Sequence, residues 1–163
     1  MKTGTEEHKM QKSMRCENQE QEDKGRESRL CESKIQELIA LALEQRSYAY
    51  APYSKFKVGA ALLGENGQIY TGCNIENAAY GPSNCAERTA IFKAVSEGVR
   101  DFLAICVVGG SEEGIRDLCP PCGVCRQVML EFCNTDFQII LATDSKNYEI
   151  HTLGELVPMG FKL

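Results

Sequence analysis

Two short cysteine-containing segments constrain the fold of this chain more than any other feature. Cys85-Ala86-Glu87-Arg88 places a thiol, a carboxylate and a guanidinium side by side, and Pro121-Cys122-Gly123-Val124-Cys125-Arg126 places two thiols three positions apart. A Cys-x-x-Cys pair lets two thiolates reach one ion, and zinc accepts such soft ligands readily. Cys85, Cys122 and Cys125 therefore predict one Zn²⁺ per chain with a fourth position left for water. Any fold of this chain must bring the two segments together.

Both segments are predicted to lie at the start of a helix, over residues 85–97 and 122–133. A helix N-terminus carries partial positive charge and lowers the pKa of nearby thiols, which favours the thiolate form that zinc requires. Three thiolates against Zn²⁺ leave a net charge of −1. Arg88, on the same helix face as Cys85, can offset this charge by donating hydrogen bonds to sulfur. Arg126 is a second candidate for the same role.

Glu87 gives the open zinc position chemistry to perform. Zinc lowers the pKa of a bound water toward ~7, and a neighbouring carboxylate can take its proton and pass it to a leaving group. This arrangement suits hydrolysis at an amidine-like carbon that carries an amine. The alternative is a structural site of four cysteines, with Cys119 or Cys73 as the fourth ligand, in a zinc-stabilised binding module without catalysis.

Hydrophobic periodicity predicts the element order α-β-β-α-β-α-β-β. A capping box at Ser33 predicts a first helix that runs to about Tyr48. This order indicates one mixed five-stranded sheet with helices packed over it. The predicted strands cover residues 57–63, 68–74, 102–109, 137–142 and 148–152.

Composition limits the class of protein further. Residues 1–32 are almost entirely polar, which predicts a disordered tail before a domain over residues 33–163. The chain has 18 basic and 23 acidic side chains and a net charge of −5, which argues against a nucleic-acid-binding or nucleic-acid-editing protein. No apolar run reaches the ~18–20 residues of a membrane span, and no secretory signal precedes the domain, so a cytoplasmic location is expected. The two histidines, His8 and His151, lie far in sequence from the paired thiols.

These residues resemble those of the zinc-dependent nucleoside deaminases, and specifically of the small cytidine deaminases. The resemblance covers about residues 33–161 and is strongest over 53–61, 71–90 and 121–132. It implies a three-layer α/β/α fold and a homotetramer with active sites at the subunit interfaces. It also implies hydrolytic conversion of cytidine and 2′-deoxycytidine to uridine and 2′-deoxyuridine, with release of ammonia, in pyrimidine salvage. Pro120 stands where a Ser is common in the family.

The resemblance also implies roles for individual residues. Cys85, Cys122 and Cys125 match the zinc ligands, and Glu87 matches the residue that carries protons from water to N3 of the base and then to the departing amine. The residues that match substrate contacts are Phe56 (stacking on the base), Asn74 and Glu76 (ribose hydroxyls), Ala86 (backbone contact to the base), and Tyr80 and Phe161 (positions that reach a neighbouring subunit's site).

Physical chemistry supports the sugar contacts. Asn74 and Glu76 are two residues apart at the end of a predicted strand, so their side chains can point the same way. A carboxylate accepts hydrogen bonds from sugar hydroxyls and repels a phosphate, which favours a free nucleoside. The alternatives are an ordinary loop for this pair and a core position for Phe56. A deaminase of another aminopyrimidine, such as blasticidin S, shares the three-cysteine pattern, but the ribose motif Asn74-Ile75-Glu76-Asn77 argues against it.

Overall fold

The structure, a computed structural model, describes residues 30–162. Its sheet has five strands, as the sequence predicts, in the order β2-β1-β3-β4-β5. The predicted tail lies almost wholly outside the described residues. The strands are β1 (Phe56–Gly64), β2 (Ile69–Cys73), β3 (Phe102–Ser111), β4 (Gln138–Ala142) and β5 (Tyr148–Thr152). The helices are α1 (Glu32–Arg46), α2 (Ala86–Ser96), α3 (Gly123–Phe132) and α4 (Leu153–Leu156).

The sheet is mixed. β1 pairs antiparallel with β2 and with β3, and β4 pairs antiparallel with β5. β3 and β4 run parallel, and the connection between them contains α3, since parallel neighbours require a crossover. The predicted hairpin turn between β1 and β2 is present, with Gly67 at a positive φ of 79° that glycine adopts without steric cost.

Two glycines show that helices cover both faces of the sheet. A Cβ atom on Gly59 would lie 2.1 Å from the carbonyl oxygen of Ala42 in α1, and one on Gly72 would lie 2.4 Å from that of Ala86 in α2. Gly72 is the cross-strand partner of Ala60, and adjacent residues of a strand face opposite sides. Gly59 and Gly72 therefore face opposite sides, which confirms the three-layer α/β/α fold.

The core on the α2 side of the sheet is built from strand residues and from the inner faces of the helices. β3 and β4 are almost wholly buried, as their continuous apolar sequences predict. The large core residues that are fully buried include Leu62, Ile91, Ile105, Met129, Ile139 and Leu153.

The helix starts differ from the predictions by one residue, and the difference matters for the site. Cys85 and Cys122 are the N-cap residues of α2 and α3, with extended backbones (ψ 157° and 164°), rather than their first helical residues. Pro121 consequently precedes the cap instead of starting the helix. α1 begins at Glu32, so Ser33 lies inside its first turn, and the predicted capping box there is wrong.

Across residues 30–162, none of the helices combines the length and the apolar character that crossing a bilayer requires.

The close approach of α1 to β1 generates a stability prediction. In the Gly59→Ala variant the new methyl group meets the main chain of α1, which cannot rotate away, so we expect a loss of about 1–3 kcal/mol in the free energy of unfolding. The matched control is Gly81→Ala, where the nearest atom lies 3.7 Å from the added Cβ. Urea unfolding at one fixed zinc concentration measures both, and equal midpoints would contradict the packing described.

Candidate active site

The three cysteines meet because two helices begin at the same place. Cys85 and Cys122 cap α2 and α3 with extended backbones, and neither uses its sulfur to cap its own helix. Cys125 lies in the first turn of α3 and is fully buried. The two N-termini thus direct all three sulfurs into one space.

The distances between the sulfurs fit a zinc ion. Cys122 Sγ lies 3.8 Å from Cys85 Sγ and 3.5 Å from Cys125 Sγ, and all three sulfurs lie within 4.8 Å of one another. Tetrahedral zinc holds thiolates at ~2.3 Å, which separates the sulfurs by about 3.8 Å. The three sulfurs can therefore bind one Zn²⁺ at three corners of a tetrahedron.

Neither alternative ligand belongs to this cluster. Within residues 30–162, the metal-capable group comprises Cys85, Cys122 and Cys125 and includes neither Cys119 nor Cys73. The carbonyl of Cys73 accepts a hydrogen bond from the Thr89 hydroxyl at 3.0 Å. A fourth zinc position thus remains for a small ligand.

The cysteines are electrostatically coupled. The pKa of Cys85 is lowered to about 5, first by a hydrogen bond from Cys125 and then by Arg88 and Cys122, against the opposing effect of burial. The same hydrogen bond, together with burial, raises the pKa of Cys125, because the Cys125 thiol donates the hydrogen bond that the Cys85 thiolate accepts. A bound cation displaces that proton, since metal ligation requires the thiolate.

Arg88 donates a hydrogen bond to the cysteine cluster, whereas Arg126 donates to main-chain carbonyls. Arg88 Nη2 donates to Cys85 Sγ at 3.5 Å and to the carbonyl of Ser83 at 3.3 Å. Arg126 donates instead to the carbonyls of Pro121, at 2.7 Å, and Leu156, at 2.8 Å. Arg88 therefore offsets thiolate charge, while Arg126 fixes the loop that carries Cys122.

Glu87 is the one buried charged residue within the described part of the chain, with 4% of its surface exposed. Burial raises its pKa to about 7, and the negative charge of Cys85 adds to the rise, against a lowering by its own backbone N–H. A carboxyl group that exchanges protons near neutral pH suits proton transfer. Because Cys85 is extended rather than helical, the two-residue spacing does not force the two side chains apart.

Phe56 is connected to the cluster through Cys119. A Cβ atom on Gly109 would lie 3.0 Å from Phe56 Cε1 and 2.5 Å from Cys119 Sγ, so the ring and the sulfur both rest against this glycine. Burial, together with the charges of Glu87, Cys85 and Cys122, raises the pKa of Cys119 to about 11. Cys119 therefore lies near both the aromatic ring and the ionisable groups. The sequence analysis did not predict that Cys119 packs beside Phe56. The Gly109-Gly110 pair at the end of a strand was a signal of this close approach.

Asn74 holds the strand that carries Phe56. Its Oδ1 accepts from the backbone N–H of Val58 at 2.8 Å, and its Nδ2 donates to the carbonyl of Phe56 at 2.9 Å. The side-chain amide keeps one further donor and one further acceptor. It can therefore brace β1 and contact a ligand as well.

Glu76 braces the preceding loop. Its Oε2 accepts from the backbone N–H groups of Tyr53, at 2.9 Å, and Ser54, at 3.2 Å. Its pKa is lowered, first by the hydrogen bond from the Ser54 side chain. The carboxylate therefore stays ionised and retains capacity to accept from a ligand.

The other predicted contacts lie apart from the sulfur cluster or are buried beside it. Ala86 is the first residue of α2 and is fully buried. Tyr80 and Phe161 are exposed, at 77% and 66%, on the loop before α2 and on the C-terminal segment. The C-terminal segment lies along α3, where Gln127 Nε2 donates to the carbonyl of Phe161 at 3.2 Å.

The site combines a cysteine cluster that can bind a metal with a buried carboxyl group that titrates near neutral pH. Together these two features define a zinc-dependent hydrolase. The model of the cytidine and deoxycytidylate deaminase zinc-binding region matches residues 32–141. The match runs from the start of α1 to within one residue of the end of β4.

Individual relatives agree with the family match. The chain is 52% identical to a cytidine deaminase of Sporosarcina psychrophila over 78% of this chain and 90% of the relative. It is 50% identical to a cytidine deaminase of Halalkalibacterium halodurans over 77% and 92% of the two chains. The crystal structure of cytidine deaminase from Burkholderia pseudomallei superposes with a TM-score of 0.70 at 46% identity, covering 77% of this chain and 97% of that one. The chain belongs to the cytidine and deoxycytidylate deaminase family, and the cluster of Cys85, Cys122 and Cys125 fits a zinc site.

The three-cysteine cluster generates a prediction about metal content. Cys119→Ser should retain one zinc per chain, because the Cys119 sulfur is outside the cluster. Cys125→Ser should lose it, since removing a ligand weakens binding by more than the ~10–100-fold that an outer hydrogen-bond partner costs. Atomic absorption after dialysis measures both variants. Zinc loss from Cys119→Ser would instead support a structural four-cysteine site.

Proposed function

We propose that this chain hydrolyses cytidine and 2′-deoxycytidine to uridine and 2′-deoxyuridine with release of ammonia, in pyrimidine salvage. The observation that carries the proposal is Glu87, a buried carboxyl group with its pKa raised to about 7, two residues from the zinc ligand Cys85. The family membership and the names of the relatives support the same substrate.

The residues of this chain account for the proton transfers. Zinc, when bound by the three thiolates, makes hydroxide available from water at neutral pH. Glu87 takes the proton that water releases and passes it to N3 of the cytosine ring as the new C4–O bond forms. Glu87 then takes the proton of the new hydroxyl group at C4 and passes it to the exocyclic amine, so that the C4=O bond forms, the C4–N bond breaks and ammonia leaves. The sum is one water consumed and one ammonia released.

The remaining predicted residues hold the substrate. Phe56 stacks on the pyrimidine, and the backbone at Ala86 contacts the base. Asn74 and Glu76 hold the ribose hydroxyls through hydrogen bonds. Because the Glu76 carboxylate stays ionised, it disfavours a phosphate nearby. A free nucleoside is therefore preferred to a nucleotide.

The proton-transfer role is tested by the Glu87→Gln variant. The amide cannot carry a proton, so we expect the variant to keep one zinc per chain and to lose turnover of cytidine by at least about 10²–10⁴-fold. The measurement is the ultraviolet absorbance change on deamination, with zinc counted in the same samples. Turnover at the wild-type rate would contradict the mechanism.

The same assay tests the substrate. Wild-type protein should turn over cytidine and 2′-deoxycytidine faster than cytosine or blasticidin S, and a chelator that removes zinc should abolish the activity. Faster turnover of blasticidin S would favour the related aminopyrimidine deaminase. No turnover of any of these by protein that holds one zinc would reject the enzyme proposal and favour a zinc-stabilised binding module.

We also propose that the chain is a cytosolic homotetramer whose active sites lie at the subunit interfaces. Large apolar side chains are exposed beside the sugar-binding residues: Tyr50 at 58%, Tyr53 at 51%, Ile75 at 46% and Tyr80 at 77%. Tyr50 forms a parallel bridge with Ile75, so these two residues are neighbours. Apolar surface grouped in this way is typical of an interface between proteins.

The tetramer is tested by size-exclusion chromatography with light scattering. We expect a mass of four chains for the wild type and a smaller species for Tyr50→Ser, because that ring is exposed in a single chain and its removal leaves the core intact. A monomer at every concentration would reject the assembly.

A further inference from the structure

Arg46, the last residue of α1, donates hydrogen bonds to three main-chain carbonyls near Phe56. Its Nε donates to the carbonyl of Lys57 at 3.1 Å. Its Nη2 donates to the carbonyl of Gly110 at 2.9 Å and to that of Ser111. The guanidinium presents five donors in a rigid fork, so it can satisfy acceptors on two strands at once.

These carbonyls lie where β1 and β3 present the ring of Phe56. Lys57 follows Phe56 directly, and Ser111 is the cross-strand partner of Phe56. Gly110 follows Gly109, against whose backbone the ring rests. Arg46 therefore fixes both strands at the point that sets the position of the ring.

A second brace acts on the same segment from the other side. Asn74 accepts from the N–H of Val58 and donates to the carbonyl of Phe56. Alternate residues of a strand direct their backbone groups to opposite edges, so Asn74 holds β1 at the edge near β2 and Arg46 holds it at the edge near β3. Loss of either brace leaves the end of β1 held at one edge only.

The position of Arg46 is fixed by the packing of α1. A Cβ on Gly59 would lie 2.5 Å from the backbone nitrogen of Arg46, so the end of the helix rests directly on β1. The C-terminal end of a helix favours a cation. A neutral residue at this position leaves the carbonyls of Gly110 and Ser111 without this donor, and buried or half-buried acceptors that lose a partner favour local opening.

We infer that Arg46 is a positioning residue for the base: through the carbonyls of Lys57, Gly110 and Ser111 it holds Phe56 in the orientation that stacks on the pyrimidine. This inference rests on the proposed function and extends it to a residue that does not touch the substrate. α1 covers the face of the sheet opposite α2 and α3, which carry Glu87 and the zinc ligands. Arg46 should therefore affect binding of the base and leave proton transfer unchanged.

The test compares Arg46→Met and Arg46→Lys with the wild type, with Arg116→Met as the control. Arg116 is an exposed arginine paired with Glu113 at 3.0 Å.

For Arg46→Met we expect KM for cytidine to rise about tenfold, the order of magnitude that loss of aromatic stacking on a base costs. The kcat at saturation should change by less than about twofold, which identifies a loss of binding rather than of chemistry. Arg46→Lys, which keeps the charge and fewer of the hydrogen bonds, should lie between, and Arg116→Met should match the wild type.

Each outcome decides the inference. A raised KM with unchanged kcat and one zinc per chain supports it. An unchanged KM, or a fall in kcat together with zinc loss, overturns it in favour of a purely structural arginine. If Arg46→Met does not fold, the KM of Arg46→Lys decides in the same way.

A binding measurement distinguishes failure of the proposed deamination from failure of the role inferred for Arg46. Calorimetric titration of cytidine into Glu87→Gln and into Glu87→Gln with Arg46→Met does not depend on turnover. An equal dissociation constant in the two proteins overturns the role of Arg46 even if the enzyme is active. A weaker dissociation constant in the double variant supports that role, and absent turnover in the wild type then rejects the deamination step alone.

Discussion

The rest of the site depends on the convergence of three cysteine sulfurs at the N-termini of two helices. Because Cys85 and Cys122 cap their helices with extended backbones, the sulfurs extend beyond the helix ends and meet at 3.5 and 3.8 Å. The helix termini and Arg88 supply positive charge that favours the thiolate form of Cys85. The parallel pairing of β3 with β4 carries α3 back over the sheet and places Cys122 and Cys125 beside Cys85.

Burial gives the same site its acid–base character. Glu87 occupies the first turn of α2 under the cluster, and removal from water raises its pKa to about 7. The neighbouring thiolate acts in the same direction as burial, while Arg88 opposes it. One short segment, residues 85–88, thus combines a thiol of the metal-capable cluster, a buried carboxyl group with a raised pKa and a guanidinium that donates to the thiol. The chemistry depends on adjacency in sequence as well as on the fold.

Close approach of main chain underlies the region around Phe56 and the sheet that carries it. Gly59, Gly72 and Gly109 allow helix, strand, ring and sulfur to approach within distances that a Cβ atom would forbid. Polar side chains then hold the backbone that this packing brings together. Asn74 and Glu76 hold the region around Phe56 from one side, and Arg46 holds it from the other.

The sequence by itself determined the order of the strands and the three long helices, the five-stranded sheet and the candidate cysteines and carboxyl group of the site, because strong apolar periodicity and short motifs are local signals. It left Cys119 as an alternative member of the thiol cluster, and it left Arg126 as a candidate beside Arg88. It gave no sign that Arg46 reaches Lys57, Gly110 and Ser111. Only the tertiary structure decided these points, since each depends on distances between segments far apart in the chain. Spacing in sequence fixes which side chains can share a helix end, whereas long-range packing fixes which of them meet.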